Sequence, residues 1–350
     1  MARCKLPNHA GLTRDPVFQV NACLWLVFKS PALSEVPSYN SAGFLLRALG
    51  KKLGISPTLR ARLVALAWRP EPPSPDVLFR HVPSHKHLVL ECKASSFSAS
   101  STTAQQARKL LTLCGDPNAA LGVTASAIVV YVLPVEDTSL QLETLRELAS
   151  ELSDLKLEPI ADSGVMGLSI EDDGLWATLI LLASGGHAEL RPVEGRVRIN
   201  DGVQGEARPL YLIPYDPAAA DNQSRAELEY CTQQLVERIL NFATSVVGRS
   251  EVPNIVCIDP AEAMKQATFG ASDYWQANDV ATLRKKIEDQ IFRTLNRGEL
   301  QGKVERVGKK VDITLADHDD QRIAVSLLQK SSPSAVARQV MDSQLAFETE

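Results

Sequence analysis

Two short apolar runs with a polar interruption between them constrain this chain more than any other feature. Val77, Leu78 and Phe79 follow a stiff approach, Pro70-Glu-Pro-Pro-Ser-Pro75, and Leu88, Val89 and Leu90 form the second run. Their length and the turn formers around them read as strands. The segment 80–87 carries Pro83, Ser84 and three histidines, His81, His85 and His87, so it reads as the turn of a hairpin with solvent- or DNA-facing imidazoles. Side chains alternate along a strand, so Glu91 and Lys93 share one face and Cys92 takes the other. Ordinary pairing of the hairpin sets Asp76 beside Glu91. Two carboxylates and an ammonium then meet at one end of it.

A plain structural hairpin has little use for that cluster. Neighbouring carboxylates repel, and a hard cation between them keeps both ionised. Oxygen ligands suit Mg²⁺, with Mn²⁺ as a substitute, better than zinc. A cation so held can polarise a phosphoryl oxygen, and an adjacent lysine can orient a water or offset charge developing on the phosphate.

Pro75-Asp76, fourteen intervening residues and then Glu91-Cys92-Lys93 resemble the signature of the PD-(D/E)XK nuclease superfamily. The segment 101–113 that follows reads as a helix carrying Gln105, Gln106, Arg108 and Lys109, and many members place a glutamine on that helix. Leu110 stands four residues after Gln106, where some members carry a tyrosine. The resemblance implies Asp76, Glu91 and the backbone carbonyl of Cys92 as metal ligands, Lys93 as the residue assisting the attacking water, and Gln105 or Gln106 positioning phosphate or water. Members often add an acidic residue from the helix before the first catalytic strand. Here the segment 42–53 reads as that helix and has none, which leaves Glu35 just upstream as the candidate.

The chain has 350 residues, 45% of them hydrophobic, enough for two or three domains with a sizeable core. Six cysteines without a C-x-x-C pair argue against a disulfide framework or a zinc site and fit a reducing cytoplasm. No apolar stretch reads as a signal peptide or a membrane span. The net charge of −5 speaks against nucleic acid, but its distribution reverses that reading. Residues 1–109 hold 15 Lys and Arg against 5 Asp and Glu, and the remainder holds 22 against 37. A basic lobe around the candidate site is what a phosphate backbone calls for, with Lys51, Lys52, Gln105, Arg108 and Lys109 as its contacts.

Further along, Ala127–Leu133 is a continuous apolar run, as in a strand buried on both faces. The segment 138–155 reads as an amphipathic helix, and 165–170 with 175–182 as a hairpin. The segment 184–209 reads as a loop or boundary, 227–247 as a second long helix and 253–259 as a buried strand. A helix follows over 280–296, and a late hairpin joins 311–315 to 322–328. One more strand is placed within 55–70.

The expected fold is α/β (α+β): a restriction-endonuclease-like core with a mixed central sheet flanked by helices, then a C-terminal α+β region. Expected boundaries are 1–135 for the nuclease-like domain, 136–250 for an α+β region and 251–350 for a partner-docking module. The expected activity is Mg²⁺-dependent endonucleolytic cleavage of DNA in microbial restriction, defence or DNA processing, with RNA left open. The alternative is a non-catalytic nuclease-fold subunit that binds DNA or scaffolds a complex with an ATPase or helicase. A protein partner and a homodimer both stay open, and no membrane is expected.

Overall fold

Helix α1 (Pro16–Phe28) starts where Asp15 accepts hydrogen bonds from the amides of Val17 (2.8 Å) and Phe18 (3.2 Å), with Pro16 at its first position. That capping answers amides a helix start leaves unpaired. The helix is buried nearly all round, as an interior helix should be. The computed structural model describes residues 9–28, 38–68, 71–115, 127–171, 174–183, 187–200, 211–213 and 225–333.

Strand β1 (Phe44–Leu49) replaces the helix expected over 42–53. Its burial alternates, with Phe44, Leu46 and Ala48 inside and Leu45 and Arg47 exposed. Gly43 and Gly50 bracket it at positive φ (+91° and +57°), which a continuing helix could not accommodate. Asn40, just ahead of the strand, donates to the Val27 carbonyl near the end of α1 (2.8 Å). The extra strand expected within 55–70 is helix α2 (Pro57–Ala65), started by Ser56, whose hydroxyl accepts from the Leu59 amide, and by Pro57.

The hairpin is as expected: β2 (Val77–His81) runs antiparallel to β3 (His87–Cys92), with Val77 opposite Leu90 and Phe79 opposite Leu88. Helix α3 (Thr102–Gly115) then carries the chain to β4 (Ala127–Pro134), which lies parallel to β3 and is buried throughout. Parallel neighbours need such a crossover. Helix α4 (Thr138–Asp154) makes the next one, to β5 (Asp162–Glu171), also parallel. There Gly167 lets the strand touch the start of α4: a Cβ would lie 2.7 Å from Thr138 Cγ2 and 3.0 Å from Val135 Cα. Strand β6 (Gly174–Leu181) returns antiparallel, and β7 (Gly195–Asn200) adds an edge within the segment expected to be a loop.

The seven strands form one mixed sheet in strict sequence order, β1 to β7. Helices α3 and α4 cover one face, packing Leu110, Leu111, Leu145 and Leu148 with Val89, Val129 and Tyr131. The alternate residues of β3 face α1, where Cys92 meets Cys23. The sheet runs on past residue 135, so the nuclease-like boundary expected there falls between two paired strands. The chain divides instead into residues 1–211 with 215–227, and residues 228–350 with 212–214.

The second unit holds α5 (Arg225–Gly248), β8 (Asn254–Ile258), α6 (Pro260–Ala267), α7 (Ala277–Leu295), β9 (Val304–Val307), β10 (Lys310–Leu315) and α8 (His318–Lys330). Its antiparallel sheet has the order β8-β10-β9. The late hairpin is therefore corrected, because β10 pairs with β8 and β9 and residues 322–328 are helical. Asp317 caps α8 by accepting from the Asp319 and Asp320 amides (3.0 and 2.9 Å). The buried residues Asp320, Ala324 and Leu328 recur every four positions. Strand β8 is half exposed rather than buried, with Val256 and Ile258 inside and Ile255 outside. Among the described residues no helix is long and apolar enough to cross a membrane.

Candidate active site

The hairpin brings Asp76, Glu91 and Lys93 to the end of the sheet where the parallel strands β3 and β4 finish. Such ends are where α/β sheets receive ligands. Asp76, just ahead of β2 and 3% exposed, accepts the Cys92 amide at 2.6 Å through Oδ2. An extended residue turns its N–H and C=O to the same edge, so the Cys92 carbonyl also looks towards Asp76.

Glu91 is 2% exposed. Its Oε1 accepts from Lys93 Nζ (2.8 Å) and from Gln106 Nε2 (2.6 Å), which α3 delivers from above the sheet. Its Oε2 is buried and has no hydrogen-bond partner among the described residues. Burial raises the Glu91 pKa, against the opposing pull of Lys93 and Gln106. For Lys93, burial acts downward, but the Glu91 carboxylate outweighs it and the net shift is upward. Lys93 is therefore a cation at neutral pH.

The remaining expected contacts separate. Gln105 is exposed on α3, away from Glu91. Arg108 binds both oxygens of Glu151 (Nε at 3.0 and 3.1 Å, Nη2 at 2.6 Å) and the Ala99 carbonyl (2.9 Å), clasping α3 to α4. Lys109, one turn beyond Gln106, lies 3.7 Å from Glu71. Lys51 and Lys52 are exposed in the loop after β1 rather than on a helix. That loop is tied to the site, since the Gly50 amide donates to the Asp76 carbonyl (2.9 Å). Glu35 lies outside the described residues. His81 and His87 are buried at strand ends, so of the three histidines only His85 is exposed.

The helix before the first strand is α1, and the side chain it sends to this end is Gln19, which donates to the Lys93 carbonyl at 2.8 Å. Nothing in the mostly apolar pattern of α1 marked it for that role. Tyr131 was equally hidden inside the run that became β4. It stands opposite Glu91 in the register, packs edge-on against Phe97, and keeps a buried hydroxyl without a partner among the described residues. Burial, then Glu91, raises its pKa.

Two carboxylates, one with an unpartnered buried oxygen, and a backbone carbonyl fit a hard divalent cation. Mg²⁺ is commonly held by one or two carboxylates and completes its shell with water and substrate phosphates. Among the described residues no set of three His, Cys, Asp or Glu side chains gathers. No protein-family model matches the chain, and neither the curated proteins nor the solved structures give a significant match.

Proposed function

We propose that this chain is a metal-dependent nuclease of the PD-(D/E)XK type, with a restriction-endonuclease-like core, that hydrolyses phosphodiester bonds in DNA. One observation carries the reading: Lys93 and Gln106 converge on a single oxygen of Glu91 while its other oxygen stays buried and without a partner among the described residues. Asp76, Glu91 and the Cys92 carbonyl would hold Mg²⁺, or Mn²⁺ in its place, which when bound supplies positive charge to a phosphoryl oxygen. Gln106 fixes the rotamer of Glu91. Lys93 assists the attacking water, orienting it and offsetting charge on the phosphate. Lys51, Lys52 and Lys109 supply positive charge for the flanking backbone. A role in restriction, defence or DNA processing is consistent with such an activity.

The test is nicking of supercoiled plasmid by the purified protein in Mg²⁺ or Mn²⁺. EDTA, Asp76→Ala and Lys93→Ala should each abolish it, with thermal melts confirming that both variants fold. Salt-sensitive DNA binding without cutting, unchanged in Lys93→Ala, would replace this reading with the non-catalytic subunit.

A further inference from the structure

Beyond the end of β3, the backbone carrying Lys93 is held by side chains instead of a strand. The Lys93 amide still donates to the Val132 carbonyl of β4 at 2.8 Å, the last bond of the parallel ladder from that side. In a parallel pair with Glu91 opposite Tyr131 and Cys92 opposite Val132, the next bond would run from the amide of residue 134 to the Lys93 carbonyl. Residue 134 is proline and has no N–H. Gln19 Nε2 occupies that role, donating to the Lys93 carbonyl at 2.8 Å and to the Thr13 carbonyl at 2.7 Å. Gln19 is fully buried, and its Oε1 has no partner among the described residues. The next carbonyl, that of Ala94, is taken by Arg14 Nη1 at 3.0 Å. Two successive carbonyls past the strand end are thus gripped by the first segment of the chain.

We infer that Gln19 is a positioning residue for Lys93: its carboxamide substitutes for the strand donor that Pro134 cannot provide, and so fixes the point from which Lys93 reaches Glu91. A lysine has four rotatable side-chain bonds, and aiming its ammonium at one oxygen requires a fixed origin. Gln19→Leu leaves the Lys93 and Thr13 carbonyls without that donor inside a buried site. Pro134→Ala returns an amide to the vacant rung of the ladder.

The kinetic arm of the test rests on the nuclease reading, and the spectroscopic arm does not. In protein with ¹³Cε-labelled lysine, the Lys93 signal is assigned by its loss in Lys93→Met. Gln19→Leu should move that signal towards the shifts of exposed lysines and slow metal-dependent nicking about 10–100-fold, with KM for DNA little changed. Pro134→Ala alone should alter neither, and combined with Gln19→Leu it should restore the signal and most of the rate. Where Gln19→Leu does not fold, Gln19→Asn, one methylene too short to span both carbonyls, takes its place. A folded Gln19 variant with an unmoved Lys93 signal overturns the inference, and so does a double variant that recovers nothing. If wild type cuts no DNA, the nuclease reading fails by itself, and the lysine signal still decides the role of Gln19.

Discussion

His87 begins β3 at the end of the sheet away from Glu91, and its ring is 5% exposed. Burial, then the charges of Arg80, Arg47 and His85, lower its pKa to about 4. An unfolded chain would protonate the same imidazole near 6.5. Between those values the unfolded state binds the extra proton, so stability is complete above about pH 6.5 and falls as pH drops towards 4. The loss from this group alone is at most about 3 kcal/mol. Urea midpoints measured from pH 4 to 7 should show that slope, and His87→Leu should flatten it; an equal slope in both proteins would assign the acid sensitivity elsewhere. The meeting of Asp76, Glu91, Lys93 and Gln106 was legible in the sequence because the candidate residues are local. Asp76 and Glu91 are joined by a short hairpin, Glu91 and Lys93 by strand alternation, and Gln106 by the next helix. Gln19 was not, because its partner lies 74 positions away and both of its neighbours in the chain are apolar.

At the scale of elements, two groups of basic residues that look alike in sequence have different work. Arg108 is committed to Glu151 and Ala99, with Trp68 beneath its guanidinium at 6.0 Å. Arg108→Ala should therefore lower stability by about 1–3 kcal/mol through loss of the α3–α4 clasp and leave the salt dependence of DNA binding unchanged. Lys51→Ala with Lys52→Ala should do the reverse, weakening binding and reducing the salt slope by about two while the melting temperature holds. Binding isotherms across a salt series, run beside thermal melts, separate the two. A smaller slope in Arg108→Ala would show that its guanidinium reaches phosphate after all. Two of the elements misread from sequence share one cause, patterns that satisfy two periods. Leu45, Ala48 and Leu49 fit a helical face while Phe44, Leu46 and Ala48 alternate as a strand, and only the flanking glycines favour the strand. Ile323, Val325 and Leu327 alternate as a strand would, but Asp317 starts a helix ahead of them. Long, strongly patterned segments such as α4 and β4 offered no such choice.

At the scale of the whole molecule, every residue placed around Glu91 belongs to the first unit: Gln19, Asp76, Cys92, Lys93, Gln106 and Tyr131. A fragment of residues 1–227 should fold cooperatively and nick plasmid within about tenfold of the intact chain, a barrier raised by no more than ~1.4 kcal/mol. Nicking seen only when residues 228–350 are present would make the second unit part of the proposed nuclease. The lopsided charge was visible in the sequence, whereas the continuation of one sheet to residue 200 was not, because β7 is short and sits among loop formers.

The strict sequence order of the large sheet bears on how the chain is made. Each strand joins the one synthesised immediately before it, so the sheet can grow one strand at a time behind the ribosome without waiting for a distant partner. By the time Pro134 has emerged, all the groups around Glu91 exist. The growing edge at that moment is β4, a strand that ends up buried at every position. At ~5–20 residues per second it stays bare for a few seconds, until α4 and β5 arrive to cover it. During that interval the residues around Glu91 have all been made, and the edge beside them is bare and apolar.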